Sequence, residues 1–236
     1  MASDLVPPPP PRSGIALLAD AHIGGPGGHA APLVEQLEAL PAAGAERLVV
    51  MGDLFQAWVA DARYETDDVR AVLGAITRLR DAGVVVNYIE GNRDFFVAGS
   101  AYAEAFDSVG TEVALEAGGL RYLVVHGDGL NDRDRQYLFW RWLSKSRPVR
   151  WFMLHLPRAL AQWLVQGTER RLADTNFKHK QRIPEEAICA YGEKRFAEGY
   201  DRLLLGHFHE PRSWRVASGE IRLLDAWFNS RALEWL

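Results

Sequence analysis

Thiols are almost missing from this chain: Cys189 is the only cysteine in 236 residues. An intrachain disulfide is therefore excluded, and with it the small secreted scaffold that depends on several. A structural zinc site built on thiolates is excluded on the same ground. No run of about twenty apolar residues occurs, so nothing reads as a membrane-spanning helix. Residues 1–14 contain five consecutive prolines, Pro7 to Pro11, but neither the basic start nor the apolar core of a signal peptide. They are expected to form a disordered lead-in to a domain spanning 15–236. That length supports one sizeable core, and a reducing, cytoplasmic setting fits the cysteine usage.

What is present is an alternation. Ile15 to Ala19 and Arg47 to Met51 are short, strand-like apolar runs, and Val84 to Ile89 is a β-branched one. Between them, Leu33 to Leu40 and Asp67 to Arg80 carry apolar residues at helical spacing. Strand–helix–strand alternation predicts a parallel sheet with crossover helices, whose working residues gather beyond the strand carboxyl ends. Glu112 to Glu116 and Leu120 to Val125 read as a hairpin through Gly118-Gly119, and Asp201 to Leu205 as a further strand. Trp214 to Val216 and Ile221 to Leu224, joined by Ser218-Gly219, predict a closing hairpin.

Five of these apolar runs end in side chains that bind metals: Asp20-Ala21-His22, Gly52-Asp53, Gly91-Asn92-Arg93-Asp94, His126-Gly127-Asp128 and Gly206-His207-Phe208-His209. Taken singly, Asp-x-His or Gly-Asp is usually a loop or a turn. Five in order, each following a strand, point to Asp20, His22, Asp53, Asn92, His126, His207 and His209 as ligands of two divalent cations. Carboxylate, imidazole and amide oxygen together suit manganese, iron or zinc better than calcium. An Asp shared between cations about 3.5–4 Å apart lets both grip one phosphate, and Asp53 is the candidate. Glycine before Asp53, Asn92 and His207, and after His126, would let the chain turn sharply towards the cations.

This ordered set resembles the calcineurin-like metallophosphoesterases. The resemblance implies a four-layer αββα sandwich of two mixed sheets, with Asp20, His22 and His209 on one cation, Asn92, His126 and His207 on the other, and Asp53 on both. Manganese is the expected metal, with iron, zinc or magnesium as alternatives. Within that family, the chain is most similar to the UDP-2,3-diacylglucosamine pyrophosphatase branch. Gly91-Asn92-Arg93-Asp94-Phe95 has arginine where most of the family has histidine, and Gly52-Asp53-Leu54-Phe55-Gln56-Ala57-Trp58 nearly repeats the branch motif. Asn92 and Arg93 are the implied catalytic residues. Arginine cannot act as an acid, but it grips phosphate oxygens bidentately, which favours a diphosphate whose leaving group needs no proton. A structural salt bridge from Arg93 to Asp94 is the alternative. The implied substrate contacts are Arg93, Asp134, Asn176, Lys178 or Lys180, and His207. The chain departs from the branch at Val59-Ala60-Asp61-Ala62, at Asn131-Asp132-Arg133-Asp134, and at Leu172, where the branch has serine.

Residues 131–191 are the matching insertion, an expected helical cap. From Asn131 to Arg182 there are twelve Lys or Arg against four Asp or Glu, a balance of +8 on a chain of net charge −4. Trp140, Trp142, Trp151 and Trp163 are half of its eight tryptophans. Basic and apolar residues interleaved at helical spacing suit an anionic membrane surface or acyl chains. The alternative is a helical layer that buries its tryptophans against the sheets. No nucleic acid is expected, because the basic residues share faces with bulky aliphatics. The expected partners are a lipid-linked sugar nucleotide and, peripherally, the cytoplasmic face of an inner membrane. The alternatives are a related diphosphate substrate or a catalytically silent docking scaffold.

Overall fold

The computed structural model describes residues 13–130, 135–157, 160 and 183–236. Strands β1 (Ile15–Leu18), β2 (Arg47–Val50), β4 (Val85–Ile89) and β6 (Ser108–Gly110) pair in parallel, and β12 (Glu234–Trp235) closes one edge antiparallel to β1. The second sheet has the order β10 (Arg212–Val216), β11 (Gly219–Leu223), β9 (Arg202–Leu205), β8 (Leu120–Val125), β7 (Glu112–Ala117). Its central pairs, β8–β9 and β9–β11, are parallel, and its outer pairs are antiparallel. Both sheets are therefore mixed, as expected.

Period-two alternation sorts the strand residues into layers. Ile15, Leu17, Val49 and Met51 of the first sheet meet Leu115, Val124 and Leu204 of the second, forming the core between the sheets. On the outer side, Ala16, Leu18, Leu48, Val50, Val86 and Tyr88 pack against helices α1 (Ala30–Ala39) and α2 (Asp67–Asp81). The other outer face sets Leu123, Val125, Leu203 and Leu205 against Ile188 and Phe196 of α5 (Glu185–Ala197). The result is the αββα sandwich. Helix α2 shows how locally this is written. Thr66 caps it by accepting the Val69 N–H at 3.2 Å, Asp67 and Asp68 sit in its first turn, and Arg78 and Arg80 in its last. Its buried stripe is Val69, Val72, Leu73, Ala75, Ile76 and Leu79.

Several elements differ from expectation. The closing hairpin turns at Ala217-Ser218, with Ala217 at φ 50°, while Gly219 starts β11. The reason is space: a Cβ on Gly219 would lie 2.5 Å from the Phe196 ring. Two-residue strands β3 (Trp58–Val59) and β5 (Asp94–Phe95) pair in parallel and are too short to show any periodicity. Ser13 belongs to the fold, since its N–H and hydroxyl both donate to the Leu236 carbonyl, at 2.7 and 2.8 Å.

The insertion contributes α3 (Arg135–Ser144) and α4 (Arg147–His155), and a last short helix, α6, covers Trp227–Ser230. The three described tryptophans of the insertion do not form the buried layer weighed above. Trp140 and Trp142 of α3, which buries no residue, are 58% and 66% exposed, and Trp151 of α4 is 63% exposed. The expected contacts Asp134, Asn176, Lys178 and Lys180, together with Trp163, Leu172 and most of the Pro-rich lead-in, lie outside the described residues.

Candidate metal centre

Each of the five motifs follows a strand: β1, β2 and β4, mutually parallel in one sheet, and β8 and β9, mutually parallel in the other. Their carboxyl ends open on one edge of the sandwich, and the loops there are laced together. The N–H of His22 donates to the Asp53 carbonyl at 3.0 Å, Ile23 to Leu54 at 3.0 Å, and Gln56 back to Ile23 at 2.9 Å.

The seven expected ligands converge. His209 Nε2 lies 3.0 Å from Asp20 Oδ1 and 3.2 Å from His22 Nε2. On the other side, His126 Nε2 lies 3.2 Å from Asn92 Oδ1, and the His126 and His207 rings meet edge to face with centroids 5.2 Å apart. Asp53 stands between the two groups, with Oδ2 3.8 Å from His22 Nε2 and Oδ1 3.7 Å from His126 Nε2. Asp20 also approaches both: potential ligand atoms of Asp20, His22 and His209 lie within 4.8 Å of one another, as do those of Asp20, Asp53 and His126.

Strain marks the same residues. Asp20, His22, Asp53, His207 and His209 have φ of 49°, 46°, 50°, 64° and 57°, in the left-handed region. Such backbone costs on the order of 1–3 kcal/mol per residue and persists where its surroundings over-determine it. Here Asp20 Oδ2 accepts the His207 N–H at 2.8 Å, and Asp53 Oδ1 accepts the Arg93 N–H at 2.8 Å. The neighbouring glycines serve two purposes. Gly52 and Gly127 turn with φ of 89° and 109°. Gly91 and Gly206 instead leave room, because a Cβ would meet Asp53 Oδ1 at 2.3 Å and Asp20 Oδ2 at 2.5 Å.

The donor set fits divalent cations. Asp53 Oδ2 and His22 Nδ1 are buried without a hydrogen-bond partner. His126 Nδ1 lies 2.7 Å from the Met51 carbonyl, so it carries the proton and leaves the Nε2 lone pair facing Asn92 and Asp53. Burial lowers the pKa of His22 and so favours its neutral, ligating form. At His126 burial also opposes the charged form, but Asp53, Asp20 and Asp128 outweigh it and hold the pKa above the ordinary value. That balance is the mark of a carboxylate cluster that attracts positive charge.

Arg93 does not pair with its neighbour Asp94. Its Nε lies 3.6 Å from Asp53 Oδ2, and Nη1 donates to the Gln56 carbonyl at 3.1 Å. Asp94 Oδ2 is a buried clasp, accepting the N–H groups of Asp53 and Gly91 at 2.9 and 2.7 Å. Burial, with the Asp53 charge beside it, pushes Asp94 up to about 7. Pairing of β3 with β5 creates this arrangement, since the Trp58 N–H donates to the Arg93 carbonyl at 2.8 Å. Trp58 itself is buried among the rings of Phe55, Tyr88, Tyr102 and Phe106.

Some neighbours were not singled out from the sequence. Phe228 of α6 sets its ring edge to face against His22 and His209, with centroids 5.2 and 5.0 Å away. Asp128 is buried and bound by Arg141 and by the Tyr137 hydroxyl, and Lys145 Nζ donates to the Gly91 carbonyl at 2.7 Å. For Tyr137, Arg141 and Lys145 the sequence offers only their four-residue spacing within the insertion, and for Phe228 it offers no signal.

Comparison with known proteins places the chain. No family model matches it. The UDP-2,3-diacylglucosamine hydrolase of Pseudomonas putida is 31% identical over 183 residues, spanning 75% of this chain and 74% of that protein. The chain belongs to the UDP-2,3-diacylglucosamine hydrolase family. Another member, from Ralstonia nicotianae, is 28% identical over 229 residues, 90% of this chain and 83% of its own length. Among solved structures, phosphopantetheinyl hydrolase from Mycobacterium tuberculosis covers 94% of this chain and 95% of its own, with 14% identity and a TM-score of 0.47.

Proposed function

We propose that the chain hydrolyses the diphosphate of UDP-2,3-diacylglucosamine at the α-phosphorus, releasing UMP and 2,3-diacylglucosamine 1-phosphate. Asp20, His22 and His209 would hold one divalent cation and Asn92, His126 and His207 the other, with Asp53 reaching both and manganese the leading candidate. Bound cations supply Lewis acidity, which acidifies water and offsets phosphoryl charge. The chain's own groups do the rest. Asp53 and Asp94 fix the Asn92-Arg93 loop through backbone N–H groups, and Arg93 is set to grip the phosphoryl oxygens. Water oxygen bonds to the α-phosphorus as the bridging P–O bond breaks. The departing sugar phosphate leaves as an anion, so no proton donor is required of Arg93.

The observation that carries this proposal is Arg93 beside Asp53. A guanidinium, 12% exposed and holding a buried Nε with no hydrogen-bond partner, stands at the rim of the carboxylate–imidazole cluster. Family membership supplies the substrate. Leu172 in place of the branch serine favours a second proposal, a different lipid-linked or nucleotide diphosphate at the same centre. A silent scaffold is disfavoured by the completeness of the ligand set.

The substrate's acyl chains and a peripheral site on the anionic cytoplasmic face of the inner membrane are part of the proposal. Among the described residues no helix is long and apolar enough to cross a membrane. The large hydrophobic side chains that stand exposed there, Phe139, Trp140, Trp142, Trp151, Phe152 and Leu160, all lie in the insertion. Basic residues beside such an aromatic face suit an interface with anionic lipid.

The test is UMP release from the diacylated sugar nucleotide with Mn²⁺. His126→Ala and Asn92→Ala are expected to abolish it while the fold persists. Cleavage of bis-nitrophenyl phosphate alone would transfer support to the second proposal, and no hydrolysis of either would sink the enzyme reading.

A further inference from the structure

Helix α3 is inside out. A surface helix ordinarily turns an apolar stripe to the core and its charges to water. In α3 no residue is buried, Phe139, Trp140 and Trp142 are 53%, 58% and 66% exposed, and the side facing the catalytic edge is polar. Tyr137, Arg141 and Lys145 are spaced four apart and so form one row along the helix. The turn continues to Lys145, whose N–H donates to the Arg141 carbonyl at 3.3 Å.

Each member of the row grips a motif loop. The Tyr137 hydroxyl donates to Asp128 Oδ2 at 3.1 Å, and Arg141 Nε pairs with the same oxygen, two residues after His126. Lys145 Nζ donates to the Gly91 carbonyl, the peptide link leading directly into Asn92. The Asp128 side chain is only 4% exposed and that of Arg141 29%, so the carboxylate end of the pair is held out of water. By contrast, α4 has an apolar anchor, with Met153 packed on Val59 and Phe96. Among the described residues, the hydrogen bonds of Tyr137, Arg141 and Lys145 to Asp128 and Gly91 reach the two loops that carry His126 and Asn92.

We propose that Arg141 and Lys145 are positioning residues for hydrolysis: from the insertion, they set the Asn92-Arg93 and His126 loops in register with one another. The insertion would then be a working part of the catalytic centre and not only a cover for the substrate. This rests on the metallohydrolase reading above. Groups one step behind metal ligands typically change metal affinity or activity by about 10–100-fold when removed.

The discriminating experiment uses the full chain and a substrate too small to touch the outer face of α3. Lys145→Met is expected to lower kcat on bis-nitrophenyl phosphate by about tenfold or more, and to weaken Mn²⁺ binding by calorimetry to a similar degree. The melting temperature should stay near that of the unaltered protein, and Lys145→Arg should recover most of the loss. Because Arg141→Gln alone leaves a buried carboxylate unpaired, the companion variant is Asp128→Asn with Arg141→Gln, for which the same two losses are expected. If Lys145→Met raises only the KM for the acylated sugar nucleotide, with diester turnover and Mn²⁺ affinity unchanged, the positioning role is wrong. Should the unaltered protein cleave no sugar nucleotide, the substrate assignment fails, yet Mn²⁺ affinity and diester turnover still judge Arg141 and Lys145.

Discussion

The two halves of the active edge are held by opposite means. The motif loops bury Asp20, His22, Asp53, Asp94 and His126, are cross-laced by backbone hydrogen bonds, and are strained at five candidate ligands. Helix α3, which lies over them, buries no residue and turns its tryptophans outward. A centre that must place several donors at one point needs surroundings that over-determine each backbone angle. A surface that must meet lipid has to keep its apolar area available, so it is fastened by directed polar contacts instead. Changes to the loops should therefore be severe and changes to the outer face of α3 mild, and the comparison can be broken at either end.

The largest effect is expected at Trp58, in the floor beneath the loops. Trp58→Ala removes a ring 2% exposed and packed against four other aromatic side chains. Truncating such a residue costs about 3–5 kcal/mol, read as a lowered denaturant midpoint. Activity should fall as well, because Trp58 pairs through its backbone with Arg93. A loss below about 1 kcal/mol would mean that the aromatic floor collapses onto the gap and that the loops are less tightly determined than the strain implies.

Next comes Arg93. Arg93→Ala should lower kcat for UMP release by about 10²–10³-fold, the usual cost of removing one donor aimed at developing charge. Arg93→Lys should recover only part, since an ammonium keeps the charge and loses the bidentate grip. Full recovery by lysine would show that charge alone matters there. A loss confined to KM would make Arg93 a binding group and not one that stabilises the transition state.

Strands and ligands were legible in the sequence for a shared reason. β1, β2, β4, β8 and β9 are apolar on both faces because they lie between two layers, and each ends at the edge where polar side chains are required. Position after a strand therefore carried the chemistry. The missed features lack a periodic signature. β3 and β5 are two residues each, and only the fold brings Trp58 beside Asp94. The glycines at 91 and 206 were expected to serve turning, but their need is room for Asp53 and Asp20, which is a tertiary fact. Asp128 stood in plain view in a quoted motif. Its partners come from an insertion whose helical spacing was clear, while its orientation was open, because aromatic and basic residues alternate around it.

The smallest effect on stability belongs to the outer face of α3, and it is the one that tests the comparison most directly. Trp140→Ser together with Trp142→Ser removes side chains that are more than half exposed and that touch, among the rings of the described residues, only Phe139. Surface substitutions of this kind stay within about 0.5 kcal/mol, so the denaturation midpoint should hardly move. Turnover of bis-nitrophenyl phosphate should hold too, since Arg141 and Lys145 lie on the other side of the helix. Co-sedimentation with anionic liposomes should fall, because burying each aromatic ring in the interface is what the exposed face offers. If sedimentation is unchanged, the outer face does not dock on lipid. If stability falls by several kcal/mol, these tryptophans are packed in the folded protein, and α3 is held by burial like the loops beneath it.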